Sequence, residues 1–145
     1  MTNGIIDGVC MAINAEFNAE ADEYEIYTEL VEQGMTKPCF SILLINSTIT
    51  PSLKPRYFKT HQICVHYFPE SSDIQAESNA VKDRLEQCLE YIMAGEDLIR
   101  GKDMSANLVE DVLHFFVNYD FYVTETGEED AMETLETDVQ AKENE

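Results

Sequence analysis

In residues 113–123 every second position is apolar, and the positions between them include polar residues. No other stretch of the chain restricts the possible fold as much. The residues between the apolar ones include His114, Asn118 and Asp120. A period of two predicts a sheet strand with one buried face. The apolar positions are Leu113, Phe115, Val117, Tyr119, Phe121 and Val123. Burial of one large apolar side chain contributes about 1.5–3 kcal/mol, so we expect this strand to be a main part of the core.

The composition changes abruptly after this strand. Residues 125–145 carry nine acids and one lysine, with few large apolar side chains. Such a segment buries too little surface to offset the entropy of ordering, so we expect an acidic, disordered C-terminal tail. The other 124 residues belong to a chain that is 44% hydrophobic, which is enough for one core. We therefore predict a single domain over residues 1–124.

The rest of the sequence predicts two helices and four to six strands. A capping box at Ser72–Gln75 begins the second helix, and Gly95 is placed to end it. We predict helices over residues 2–18 and from the box to about residue 93, strands over 24–30, 39–45 and 56–68, and one or two short strands in 96–110. A turn is expected at Gly101 and a hairpin turn at Glu110 and Asp111. This order indicates an α+β fold, a mostly antiparallel β-sheet with two main helices packed on one face.

Two features indicate surfaces for contact. Residues 46–55 are polar, contain two prolines and exceed the length of a tight hairpin connection, so we interpret them as a projecting arm. The sheet face without helices would carry Phe58, Phe116 and Tyr122. Exposed aromatic patches of this kind usually mark contact sites.

The net charge of −20 argues against binding to nucleic acid or to an anionic membrane surface. No stretch approaches the roughly 20 apolar residues of a membrane span, and the N-terminus lacks a secretory pattern. We expect a soluble protein of the cytoplasm in which it is made.

We identify no catalytic, cofactor-binding or metal-binding residue and expect a protein that is not an enzyme. The sequence lacks the glycine-rich nucleotide motifs, H-E-x-x-H and G-x-S-x-G. The four cysteines are widely spaced within apolar patterns, which is typical of buried free thiols. His61, His66 and His114 lack ligand spacing, and we interpret them as interior hydrogen-bonding or surface residues.

Charge is strongly segregated along the chain. Residues 16–32 hold seven acids and no lysine or arginine, whereas residues 33–69 hold no acid at all. The basic side chains could pair with acids of the same chain, or with the acidic region of a neighbouring copy. The second arrangement is a heterologous contact, which closes into rings or continues as filaments. The candidate interface residues are Lys54, Arg56, Lys59, Glu23, Glu25 and Glu29.

Several short motifs together carry a family resemblance that covers about residues 1–124. They are Tyr27-Thr28-Glu29, Gln33-Gly34, Lys37-Pro38-Cys39-Phe40, Arg56-Tyr57-Phe58, His66-Tyr67-Phe68-Pro69 and Leu113-His114-Phe115-Phe116-Val117-Asn118-Tyr119-Asp120-Phe121. With them the chain resembles the small tail terminator family protein of phages and prophages of Gram-positive bacteria.

The resemblance implies a virion tail protein that assembles in the bacterial host cytoplasm and works without cofactor or catalysis. It would cap the tail tube as a homo-hexameric ring, end tube polymerisation and offer a surface for the head-tail connector or stopper protein. Its partners would be its own copies, the tail tube protein and the connector. Two alternatives stay open: another neck or tail-completion adaptor, and a small ligand-binding domain or enzyme.

Overall fold

The structure is a computed structural model, and it describes residues 2–29, 34–53 and 55–124. Two helices and seven strands form in these ranges. They are α1 Thr2–Phe17, β1 Glu25–Tyr27, β2 Cys39–Pro51, β3 Arg56–Phe68, α2 Ile74–Cys88, β4 Tyr91–Ala94, β5 Asp97–Val109, β6 Val112–Tyr119 and β7 Phe121–Thr124. The predicted α+β class with a mostly antiparallel sheet is confirmed. The predicted acidic tail lies outside the described residues.

The described residues fall into two compact units, and β2 and β3 contribute to both. The first unit comprises residues 2–29, 34–46 and 61–119, and the second comprises 47–53, 55–60 and 120–124. The single domain expected over residues 1–124 stays a prediction.

The sheet has the strand order β1-β2-β3-β6-β5-β4. In the first unit β1 pairs with β2 in parallel, whereas β3 with β6, β6 with β5 and β5 with β4 are antiparallel. In the second unit β7 pairs antiparallel with the first residues of β3. Among the described helices, neither is long and apolar enough to cross a membrane.

Strand β6 provides the buried face that its alternation predicts. Leu113, Phe115, Val117 and Tyr119 are all buried, and the residues between them are half-buried. The opposite side of this core comes from the helices, which bury Ile5, Val9, Ile13 and Phe17 from α1 and Val81 and Leu85 from α2.

Both helices cover the sheet face that carries Tyr67. The ring of Phe17 on α1 lies 4.8 Å from that of Phe40, which lies 4.9 Å from the ring of Tyr67. The Tyr67 hydroxyl donates to the Glu77 carboxylate on α2. Since successive strand residues point to opposite faces, Cys64 and His66 lie on the face away from the helices.

Helix α2 ends earlier than predicted, at Cys88, and residues 91–94 form the edge strand β4 instead. Ile92 continues the helical spacing of Leu85 and Leu89, so the pattern alone favoured a longer helix. In the structure Ile92 and Ala94 are buried while Tyr91 and Met93 are exposed, which is strand alternation. Gly95, with a φ of 67°, lies in the β4–β5 turn rather than at the helix end.

The predicted turn at Gly101 is also wrong, because β5 runs through it as one strand. Gly101 is instead a point of close approach. A Cβ there would lie 2.7 Å from the Leu89 carbonyl oxygen and 2.8 Å from Val117 Cγ2. Glycine in a strand often marks such an approach, which sequence alone does not separate from a turn.

The turn predicted at Glu110 and Asp111 is confirmed. Both residues have positive φ, at 50° and 67°, as a type I′ hairpin requires. The strand expected over residues 113–123 forms as two pieces, β6 and β7, on either side of Asp120.

The arm predicted over residues 46–55 is not an irregular loop. Strand β2 continues through Pro51, so only residues 52–55 connect it to β3. Polarity led to the loop interpretation, but Thr48, Ile49 and Thr50 are β-branched and suit an exposed strand.

Candidate interaction surfaces

The second unit is a short β-ribbon with a tight tip. The Ser52 N–H donates to the Arg56 carbonyl oxygen at 3.0 Å, and the Arg56 N–H donates to that of Leu53 at 2.9 Å. Behind the tip, the hydroxyls of Thr48 and Thr60 lie 2.5 Å apart. On the other side of β3, Arg56 pairs with Thr124. These contacts join the described residues on either side of the chain reversal and tie β3 to β7.

Arg56 is fixed on this ribbon by stacking rather than by an ion pair. Its guanidinium carbon lies 4.1 Å from the centre of the Tyr122 ring, which also packs 4.9 Å from Phe58. Arg56 is exposed and Lys59, on the same strand, is half-buried. Neither forms an ion pair with a described residue. A guanidinium stacked on a ring keeps its edge N–H groups free to donate to a carboxylate.

The ribbon also presents apolar side chains to solvent. Leu53 at the tip is 83% exposed, Ile49 is 58% exposed and Tyr122 is 52% exposed. Exposed apolar residues grouped in this way, beside cationic ones, are typical of a contact surface. We call residues 47–53, 55–60 and 120–124 the ribbon surface.

The first unit carries an acidic surface formed by Glu23, Glu25 and Glu29, all of which are exposed. Asn18 sets the start of this segment. Its Oδ1 accepts from the backbone N–H groups of Glu23 at 3.0 Å and Tyr24 at 2.9 Å. Glu25 begins β1, and the carbonyl oxygen of Glu29 accepts from the Ser41 hydroxyl at 2.5 Å. The backbone is therefore held while the three carboxylates face water.

One nearby acid is already neutralised within the chain. Glu16 Oε2 accepts from Arg84 Nε at 3.0 Å, and the same guanidinium lies 4.1 Å from the Phe17 ring centre. Burial by itself lowers the pKa of Arg84, but the bond and charge of Glu16 raise it overall. No ion pair involves Glu23, Glu25 or Glu29 among the described residues.

The predicted interface residues therefore occupy two different units. Arg56 and Lys59 lie on the ribbon surface, and Glu23, Glu25 and Glu29 form the acidic surface. Lys54 lies outside the described residues. Their pairing between copies stays a prediction.

A third surface was missed from sequence. Met11 on α1, Tyr91 and Met93 on the edge strand β4, and Leu98 on β5 are all exposed. The sequence predicted a helix over residues 91–93. These residues form a strand instead, and its alternation exposes Tyr91 and Met93.

Cys64, His66 and His114 form a group that spacing along the chain did not indicate. One ligand atom from each lies within 4.8 Å of the others. The only local signal is Cys64-Val65-His66 on a predicted strand, which places two ligand types on one face. His61, by contrast, is buried, and its Nδ1 lies 3.1 Å from the Tyr119 carbonyl oxygen, as expected for an interior hydrogen-bonding residue.

The four cysteines are free, with Cys39 and Cys64 buried and Cys10 and Cys88 half-buried. Burial raises the pKa of Cys64 to about 11 and that of Cys88 to about 12. These thiols are therefore protonated at neutral pH and unreactive unless another group displaces the proton.

Comparison with known families finds a match over most of the chain. The model of a family described as phage tail terminator protein matches residues 5–131. A comparison with curated proteins finds no match.

Proposed function

The chain belongs to the phage tail terminator protein family, and from this premise we propose that it ends tail-tube polymerisation as a ring of six copies and offers the docking surface for the head connector. The family role is structural and places the protein among the completion components of the virion tail. The family match over residues 5–131 is the observation that carries the proposal.

The charge distribution supports a head-to-tail contact within such a ring. The ribbon surface of one copy presents Arg56 and Lys59, and the acidic surface of the next presents Glu23, Glu25 and Glu29. Two different patches on identical chains make a heterologous contact. A series of such contacts closes into a ring when a whole number of rotations between neighbouring copies adds up to 360°. Complementary charge sets the register and the encounter rate of this contact.

The apolar tip of the ribbon supports a second contact, with the tube. Leu53 and Ile49 are exposed on the same ribbon as the basic side chains, and burial of each large apolar side chain in an interface would contribute about 1.5–3 kcal/mol. In this proposal the tip seats on the last ring of tube protein and blocks further addition.

Absolute mass tests the ring. Light scattering after size exclusion, over a range of concentration and salt, is expected to give about 99 kDa, six times the 16.5 kDa chain mass. The mass should fall as salt rises, because screening weakens contacts between exposed charges. An assembly with a different fixed number of copies, such as a dimer at all concentrations, would contradict the six-membered ring.

An adaptor that binds only the connector is the competing function for this fold. It would leave tubes of normal length in its absence, with heads and tails unjoined. A terminator instead leaves overlong tubes, so tube length separates the two.

A further inference from the structure

Cys64, His66 and His114 converge on one face of the sheet in the first unit. Cys64 and His66 are two residues apart on β3, so their side chains point the same way. His114 on β6 is the direct cross-strand partner of His66. Two residues of one strand and the opposite residue of its neighbour make a triangle of side chains on a rigid support.

The three ligand atoms are nearly close enough to share one ion. They lie within 4.8 Å of one another, and the ring centres of His66 and His114 are 4.3 Å apart. Zinc bonds of about 2.0–2.3 Å to nitrogen and sulfur place tetrahedral ligand atoms about 3.5 Å apart. The three side chains would therefore have to rotate so that their ligand atoms come up to about 1.3 Å closer together.

An ion could reach this group from solvent. A cavity of about 280 Å³ is lined by His66, Phe68, Val109, Glu110, Val112 and His114. Cys64 is only 2% exposed and does not line this cavity, whereas both histidines line it and are half-buried. The cavity leaves room for water as a fourth ligand.

We propose that Cys64, His66 and His114 bind a divalent cation of the zinc class, held by one thiolate and two neutral imidazoles. Sulfur and imidazole ligands select borderline-soft ions of this kind rather than Mg²⁺ or Ca²⁺. On binding, the S–H bond of Cys64 breaks, its proton leaves to solvent and a sulfur–metal bond forms. The site joins β3 to β6 and does not depend on the proposed function.

The environment of the histidines supports this assignment. Both imidazoles line the same cavity and are half-buried, with ring centres 4.3 Å apart. A like-charged imidazolium pair at this separation would be unfavourable, whereas a shared cation uses both rings.

Cobalt titration of the reduced full-length chain tests the site, because Co²⁺ bound by a thiolate gives a charge-transfer absorption and intense visible bands. We expect these bands to saturate at one equivalent and to be displaced by Zn²⁺. Cys64→Ser should abolish the charge-transfer band, and the matched control Cys10→Ser, at a half-buried thiol outside the group, should keep it.

A second variant guards against misfolding of Cys64→Ser. His114→Gln changes a half-buried side chain and should weaken Co²⁺ binding at least about tenfold, since even changes behind the ligands cost 10- to 100-fold. Far-ultraviolet circular dichroism checks the fold of each variant. Absence of the bands in the unaltered chain, or unchanged bands in folded Cys64→Ser or His114→Gln, would overturn the proposal.

Discussion

At the scale of single residues, Glu77 ties a helix start to the sheet. Its carboxylate accepts from the Tyr67 hydroxyl and from the backbone N–H groups of Ser71, at 2.8 Å, and Glu70, at 3.2 Å. Burial by itself raises the pKa of Glu77, but the bonds from Ser71, Tyr67 and Glu70 outweigh it and hold this pKa below its ordinary value. The charged form is therefore the one that the fold stabilises.

Replacement of this carboxylate should destabilise the chain in a pH-dependent way. A lowered pKa gives stability that is present above the ordinary value of 4.5 and is lost as pH falls through the folded value. We expect Glu77→Gln to lower the unfolding free energy by about 1.5–3 kcal/mol at pH 7, the usual size for a hydrogen bond to a charged group. The difference in unfolding free energy between this variant and the unaltered chain should become smaller below pH 4.5. Urea unfolding of dilute protein at several pH values measures it.

Glu70→Gln is the matched control for this effect. It removes a neighbouring charge but leaves the backbone N–H that Glu77 uses. An equal loss in Glu70→Gln, or a Glu77→Gln deficit that is independent of pH, would contradict the role assigned to Glu77.

The start of α2 shows how far the sequence predicts local detail. The pattern Ser72–Gln75 correctly indicated a helix start, but Asp73 is the N-cap and accepts from the Ala76 N–H at 3.2 Å. Glu77, not Gln75, reaches back to the preceding loop. Ser and Asp are equally good caps, so only the backbone conformation decides between adjacent ones.

At the scale of elements, α1 depends on a glycine where it crosses the edge strand. A side-chain carbon on Gly8 would overlap the carbonyl oxygen of Met93, whereas one on Gly4 would have its nearest neighbour 3.8 Å away. Both glycines lie inside the helix, where alanine is favoured by about 1 kcal/mol.

Alanine at the two positions should therefore have opposite effects. We expect Gly8→Ala to lower the unfolding free energy by about 1–3 kcal/mol through overpacking. Gly4→Ala should leave it unchanged or raise it by up to about 1 kcal/mol. Chemical unfolding of the two variants side by side makes this comparison, and a neutral Gly8→Ala would contradict the close packing of α1 on β4.

The ribbon tip gives a prediction about function at this scale. A variant with both Ile49→Ser and Leu53→Ser lacks two exposed apolar side chains of the ribbon. Its ring mass should stay unchanged, while its ability to cap tails should be lost. The control, Leu98→Ser with Leu108→Ser, removes exposed apolar side chains elsewhere. Light scattering and electron microscopy of tails measure the two properties. Full capping by the tip variant would exclude the tip as the tube contact.

Element types were easier to predict from sequence than element ends. Strand β3 forms over Arg56–Phe68 as predicted, because aromatic and β-branched residues fill it. The ends of α2 and β2 were wrong for opposite reasons: apolar Ile92 satisfied a helical period within a strand, and polar residues 46–51 belong to an exposed strand. The ends of both elements depend on which strand lies beside them, and a local sequence pattern carries no information about that neighbour.

At the scale of the whole molecule, charge segregation was readable from sequence, since it needs only the order of residues. The basic surface required the structure, because the stacking of Arg56 on Tyr122 joins residues distant in sequence. The group of Cys64, His66 and His114 was hidden for the same reason: His114 joins it through strand pairing.

Charge reversal tests the contact between copies. Replacing both Arg56 and Lys59 with Glu should weaken self-association and remove its fall with rising salt, because like charges then face one another and salt screens their repulsion. Glu25→Lys with Glu29→Lys in the same chain should restore it. Lys82→Glu with Arg100→Glu makes the same change in net charge on α2 and β5 and should have little effect. Unchanged assembly of the first variant, measured by sedimentation, would exclude this contact.

Tail length in a phage that lacks this chain tests the central claim most directly. Electron microscopy should find overlong, variable tubes without heads, and supply of the unaltered chain should restore one uniform length with heads joined. The charge-reversed variant should fail in this complementation, and its net-charge control should succeed. Tubes of normal length in the complete absence of the chain would contradict the account, because they would show that another component ends polymerisation.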